Sequence, residues 1–258
     1  MKVSPLPRLI IALCLLCVAA AARAEEKPFV LHLPGVGGHL VIDDAMVQGL
    51  SRDRDVEVEI YDWTEGDAGL NALLGAPRHR KQAKLVSERI AEIARKSPGR
   101  TIHVIAHSGG TGIAVWALES LPGDVTIESL TLLASALSPS YDLSPALQHV
   151  QRAYAFSSRF DSIVLGRGTL LLGTIDGIRS ESAGLVGFLM PDKGDANLYA
   201  KLMQFEHQPA WARYGNDGDH IGTMRRRFAA AVLAPLVFEG VVPGAGPATQ
   251  PTTKPANE

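Results

Sequence analysis

No stretch of this chain limits the fold more than Thr101–Leu121, which reads TIHVIAHSGGTGIAVWALESL. Thr101–Ala106 is rich in β-branched residues and predicts a buried strand. It runs without a spacer through His107-Ser108-Gly109-Gly110 into a helix, Gly110–Leu121, that Pro122-Gly123 closes. A strand-to-helix turn this tight forces its central residue into a strained backbone conformation. Small residues two places before and two places after relieve the clash, and here they are Ala106 and Gly110 around Ser108.

The rest of the chain continues the alternation. Phe29–Leu33 predicts a buried strand ended by Pro-Gly, and Val41–Leu50 a helix. Val56–Tyr61 alternates with period two, as a half-exposed strand does. In Arg80–Lys96, Val86, Ile90, Ile93 and Ala94 share a helical face, and Lys-Ser-Pro-Gly stops the run. Strands are expected at Ile127–Ala134 and Arg152–Phe156, a last strand near Ala210–Tyr214, and a helix over Thr223–Phe238. Strands separated by helices imply right-handed crossovers and a mostly parallel sheet covered on both faces. Residues 162–207 fit poorly, with seven glycines among short apolar pieces. They read as a lid insertion over the carboxyl edge of the sheet, or as an extra helix at its side.

The two ends read differently from the middle. Lys2 and Arg8 flank the start of a 14-residue apolar run, Leu9–Ala22, followed by Ala22-Arg23-Ala24. This is the pattern of a secretory signal peptide, residues 1–24, cleaved after Ala24; the run is too short for the ~20 residues of a spanning helix. Cleavage leaves 234 residues, takes away both Cys14 and Cys17, and moves the net charge from −2 to −5, since three basic residues and no acid depart. The mature domain, 25–242, then has no thiol for a disulfide, a nucleophile or a metal. It holds together in a secreted or periplasmic setting by packing alone, which 46% apolar residues permit. Its negative charge argues against a nucleic-acid partner. Residues 243–258, PGAGPATQPTTKPANE, predict a disordered tail.

The turn around Ser108 is the G-x-S-x-G nucleophile elbow with alanine in the first place. It projects a hydroxyl from the sheet edge and sets the Gly109 N–H at a helix N-terminus, where partial positive charge favours an oxyanion. With the loop Leu33-Pro34-Gly35-Val36-Gly37-Gly38-His39 after the first strand, and the chain order serine, acid, histidine, residues 28–238 resemble the α/β-hydrolases, in particular small secreted serine esterases and lipases. The resemblance implies a three-layer α/β fold with a small lid, cleavage of carboxylic esters through an acyl-enzyme, and a small-molecule or lipid ester as substrate. It implies no cofactor and no metal.

The same resemblance places the other roles. Val36 and Gly109 would supply the oxyanion N–H groups, although Leu33-Pro34 stands where the family often has histidine. The acid would be Asp161, 53 residues after Ser108 and just past the strand Arg152–Ser157. Asp142 competes, and Asp176 and Glu181 are poorer. The base would be His220, the one histidine in the Gly/Asp/Asn-rich loop Tyr214–Gly222. His39 and His107 are candidate substrate contacts, and His107 reads equally as packing. His32 and His103 read as core groups, and His79, His149 and His207 as surface positions. Leu170–Leu172, Leu185, Phe188, Leu189 and Met190 read either as an acyl-binding wall or as the core of the lid.

Other chemistry is weaker. Gly35-Val36-Gly37-Gly38 with Asp62 outlines a dinucleotide site, but Leu40 stands at the third glycine. No phosphate-loop or His-Glu-x-x-His motif occurs. Asp217, Asp219 and His220 imitate a metal cluster but fit a turn as well. A non-catalytic binding protein on this fold, and an acyltransferase using the same three side chains, stay open.

Overall fold

Buried apolar strands joined by amphipathic helices can satisfy their backbones only by pairing side by side, and they do. The computed structural model describes residues 26–161, 173–241 and 248–252. The expected signal peptide, both cysteines and residues 162–172 of the expected lid, Leu170–Leu172 among them, lie outside these. Six strands, β1 (Phe29–Leu33), β2 (Glu57–Ile60), β3 (Ile102–His107), β4 (Ile127–Leu133), β5 (Val150–Ser157) and β6 (Leu202–Glu206), form one sheet in the order β2-β1-β3-β4-β5-β6. Every neighbouring pair is parallel. All loops that leave strand carboxyl ends therefore gather on one edge of the sheet.

Alternation along each strand sorts the side chains between two cores. Phe29, Leu31 and Leu33 of β1 and Ile102, Val104 and Ala106 of β3 face α2 (Ala76–Lys96) and α3 (Gly110–Glu119). Val30, Ile105, Tyr154 and Phe156 face α1 (Val41–Leu50) and the C-terminal helical run 226–239. The expected three layers are thus present. Helix α2 starts four residues earlier than its apolar face suggests, because Pro77 occupies the first turn, where its missing N–H is not needed.

The last strand is where expectation and structure part. It lies at Leu202–Glu206, inside the span assigned to a lid, and Pro209–Tyr214 is a 3₁₀ helix instead. Pro209 fixes its own φ and lacks an N–H, which suits a helical start and not a sheet interior. Of the span expected to be a lid, the described residues 173–201 begin at the carboxyl edge, where Ile175 N–H donates to the Ala136 carbonyl, Gly184 N–H to Ser135, and Ser158 N–H to Gly184. They end at the amino edge, where Lys201 Nζ donates to the Leu147 and Val150 carbonyls ahead of β6. Leu185 and Phe188 are buried, the latter bonded through its backbone to the Gln204 side chain of β6. The final helix is also irregular. After a 3₁₀ turn, Gly222–Met224, residues 226–239 wind mostly with π-type turns around Pro235, which cannot donate an α-helical bond.

Within the stretch expected to be disordered, Thr249 pairs antiparallel with Gln204 of β6, through bonds of 2.9 and 3.0 Å, and the Thr252 carbonyl accepts from Met190 N–H. No helix among the described residues is long and apolar enough to cross a membrane.

Candidate active site

Ser108 sits between the last residues of β3 and the first of α3 with φ of 50°. This left-handed conformation is uncommon for a residue with a side chain and is held only where the surroundings demand it. The demand is visible at Gly110. A Cβ there would lie 2.4 Å from the Pro34 carbonyl and 2.5 Å from that of Leu33. Strand β1 therefore runs directly against the elbow, which is why the turn tolerates nothing larger. Ser108 N–H donates to the Leu133 carbonyl of β4, and Thr111 Oγ1–H donates to the Ser108 carbonyl at 2.6 Å. The same Thr111 oxygen lies 3.0 Å from Ser135 Oγ and accepts from Ala136 N–H. Sequence reading missed Thr111, although a hydroxyl three residues after the serine is well placed to reach back one helical turn.

Three distant side chains meet at this turn. Ser108 Oγ lies 2.9 Å from His220 Nε2, and His220 Nδ1 lies 2.6 Å from Asp161 Oδ2. Asp161 is 4% exposed. A carboxylate only accepts, so the shared proton rests on Nδ1, and Nε2 keeps its lone pair toward the hydroxyl. Asp161 arrives from the loop after β5, where its N–H donates to the Ser158 carbonyl. Ser158 Oγ–H donates in turn to the Gly218 carbonyl, tying the Asp161 loop to the His220 loop. Gly218 has φ of 85°, and its N–H donates to Asn216 Oδ1, so the Gly/Asp/Asn composition makes a tight turn that presents His220.

His107 faces the other side of His220. Its Nε2–H donates to the His220 carbonyl at 2.9 Å, with ring centres 4.8 Å apart. Burial first, and then the neighbouring His220, pull its pKa from 6.5 down to about 3, so the ring is neutral. His107 thus holds the backbone of His220, a role its position beside the serine does not announce.

The loop after β1 completes the site. A Cβ on Gly35 would lie 3.3 Å from Ser108 Cβ, and one on Gly109 would lie 2.5 Å from Val36 Cγ1 and 3.5 Å from Val36 N. The two amides expected to act together, Val36 and Gly109, are therefore neighbours beside the serine. Neither makes a hydrogen bond among the described residues. The loop's other groups are tied down. Trp63 Nε1–H donates to the Pro34 carbonyl, Gly69 N–H to Val36, and Gly38 N–H to Gly35. Its two ends are braced by a buried pair, His32 Nε2 and Asp43 Oδ1 at 2.7 Å. Burial works to raise the Asp43 pKa, but the hydrogen bond and charge of His32 outweigh it and hold the carboxyl below its usual range.

Several candidates lie elsewhere. His39 pairs with Asp44 at the surface, and no contact joins it to Ser108 among the described residues. Asp142 accepts from Ser144 N–H at the start of a one-turn helix, and Asp176 binds Ser138. His32 and His103 are buried as expected, but His79 and His149 are not at the surface. They are 3% and 9% exposed, each donating one ring N–H to a backbone carbonyl, of Ala72 and Val125 respectively. His207 is half-buried and donates to the Asn216 carbonyl. One such bond satisfies the donor of a neutral imidazole, which is why burial is tolerated. Among the described residues no group of three or more His, Cys, Asp or Glu is arranged to hold a metal ion.

A serine at positive φ between a parallel strand and a helix, with an aspartate and then a histidine hydrogen-bonded to it following in chain order, decides the architecture. The fold is the α/β-hydrolase fold. No protein-family model and no curated sequence matches this chain. Among solved structures, a cutinase-like protein from Cryptococcus sp. aligns over 81% of this chain and 94% of its own, with 11% identity and a TM-score of 0.45. The esterase domain of a Rhodothermus marinus protein aligns over 83% and 87%, at 12% identity and 0.41. The pyrethroid hydrolase PytH aligns over 46% of this chain and 44% of its own, at 19% identity and 0.32. At TM-scores below 0.5 these likenesses carry nothing about this site, whose chemistry follows from its own atoms.

Proposed function

We propose that this α/β-hydrolase-fold protein cleaves carboxylic esters through an acyl-enzyme on Ser108, outside the cytoplasm, with residues 1–24 as its export signal. The observation that carries the reading is the chain Ser108 Oγ, His220, Asp161, closed by hydrogen bonds of 2.9 and 2.6 Å on a strained turn. Either bond alone is an ordinary polar contact. Together they give a hydroxyl a base, and the base an orienting carboxylate.

Ser108 Oγ attacks the ester carbonyl as its proton passes to His220 Nε2. Asp161 stabilises the imidazolium without taking its proton. Charge on the carbonyl oxygen is met by the Val36 and Gly109 N–H groups, which make no hydrogen bond among the described residues and so suit that task. His220 then protonates the departing alkoxide, leaving an acyl ester on Ser108. A water activated by the same histidine attacks that ester, the acid leaves, and the proton returns to Ser108. An alcohol in place of water gives acyl transfer by the same steps.

A fluorophosphonate probe tests the reading. It should label the protein at Ser108, and Ser108→Ala should abolish both labelling and hydrolysis of p-nitrophenyl esters. Labelling that persists in the variant moves the nucleophile elsewhere. Ester panels of increasing acyl length, with and without added alcohol, then separate short from long acyl preference and hydrolysis from transfer.

A further inference from the structure

Behind the carboxylate of Asp161, three residues bury polar atoms that meet no partner among the described residues: His207 Nδ1, Trp211 Nε1 and Thr223 Oγ1. All three residues line a single small cavity together with Asp161. It has about 10 Å³ of room for the centre of a water molecule, close to the least that one water requires. A buried indole N–H normally finds an acceptor, and Trp211 is 1% exposed, so bulk water cannot serve it.

The hydrogen-bonding roles are set by the contacts already made. His207 Nε2–H donates to the Asn216 carbonyl at 3.1 Å, and in that tautomer Nδ1 is an acceptor. Trp211 Nε1–H can only donate. The Thr223 hydroxyl can do either. No two of these atoms bond to each other, although the His207 and Trp211 rings meet edge to face at 5.9 Å. One donor, one acceptor and one hydroxyl around a water-sized space form the complement of a water molecule. Its oxygen accepts from Trp211, one hydrogen goes to His207 Nδ1, and the other goes to the buried carboxylate on the cavity wall, Asp161, since Asp219, the other carboxylate lining it, is exposed and paired with Arg225.

We propose that this cavity is a binding site for one water molecule that links Trp211, Thr223 and His207 to Asp161. Its bearing on turnover rests on the ester-cleavage reading above; the site itself does not. The water fixes the carboxylate from behind while His220 holds it from the front, so Trp211 and Thr223 are positioning residues for the acid.

A crystal structure that shows ordered water tests the site directly. One water is expected ~2.7–3.2 Å from Trp211 Nε1, His207 Nδ1 and Thr223 Oγ1. Trp211→Phe keeps a ring and removes the donor. It should lose the water and lower kcat roughly ten- to hundred-fold through misplacement of the acid, with KM unchanged. Thr223→Val, a smaller change, should act in the same direction if Trp211→Phe does not fold. A dry cavity in the wild type, the three atoms turned to separate protein partners, or a water unmoved in both variants overturns the proposal. Ester hydrolysis with a dry cavity removes the water site alone. An ordered water in a protein that cleaves no ester removes the ester reading and leaves the site.

Discussion

Two histidines buried without charge make this fold vulnerable to mild acid. His103 and His107 are held neutral by burial, with pKa values lowered from 6.5 to about 4 and about 3. In the unfolded chain both titrate near their ordinary value. Between pH 6.5 and their folded values the unfolded state binds the more protons, so stability rises with pH through that window and falls as pH drops. At pH 5 each histidine lies 1.5 units below its unfolded pKa, which is a loss of about 2 kcal/mol apiece at 1.36 kcal/mol per unit, or about 4 kcal/mol together. That is a large part of the 5–15 kcal/mol typical of a domain. The assay is urea denaturation at pH 7 and pH 5, read from the midpoint at constant slope. His103 is the residue to change, because it contacts Ser129 and Phe238 far from the serine. In His103→Gln the drop between the two pH values should shrink by about 2 kcal/mol, whatever the variant's stability at pH 7. An unchanged drop would mean that His103 is charged in the folded state or is not buried, and the reasoning fails.

The site gives four further expectations. Ser108→Ala and His220→Ala should each lower kcat by at least ~1,000-fold, and the double variant should be little worse than either, since the two act as a unit; additive losses would separate them. Asp161→Asn should cost roughly 10,000-fold in turnover by freeing the wrong tautomer of His220, with the folded circular dichroism spectrum retained. Asp142→Asn, which only alters a helix start, should leave turnover intact, and the reverse ranking would reassign the acid. Gly110→Ala must push back the Leu33 and Pro34 carbonyls; it should destabilise by about 1–3 kcal/mol and, where it folds, lose activity through displacement of Val36.

What the chain reveals by itself is what is local. The elbow is legible because a strand, a serine between small residues and a helix are contiguous, and one steric argument covers all of them. Asp161 and His220 are legible as loop residues after strands, although only the folded chain brings them within reach of Ser108. Strand β6 escapes the sequence because Leu202–Glu206 carries no period-two burial pattern and lies in a glycine-rich stretch that reads as one insertion. Its place at the sheet depends on pairing with β5, a contact some fifty residues away. The buried His79 and His149 were misread for a related reason. A polar ring looks exposed until the carbonyl that satisfies it is known, and those carbonyls come from other elements. The clamp from His107 to the His220 carbonyl spans 113 residues, so no local pattern could carry it.

The pairing of Thr249 with Gln204 has a consequence at the rim of the sheet. Among the described residues strand β6 is outermost, with no further strand beside it, and an open row of N–H and C=O groups is a template for another chain. By taking both the N–H and the C=O of Gln204, Thr249 occupies the middle of that template with a single bridge, which blocks it without extending the sheet among the described residues. A chain shortened ahead of Ala248, or stiffened there by a bulky fusion, would bare the edge. Its first symptom would be self-association at high concentration, with the chemistry at Ser108 still intact.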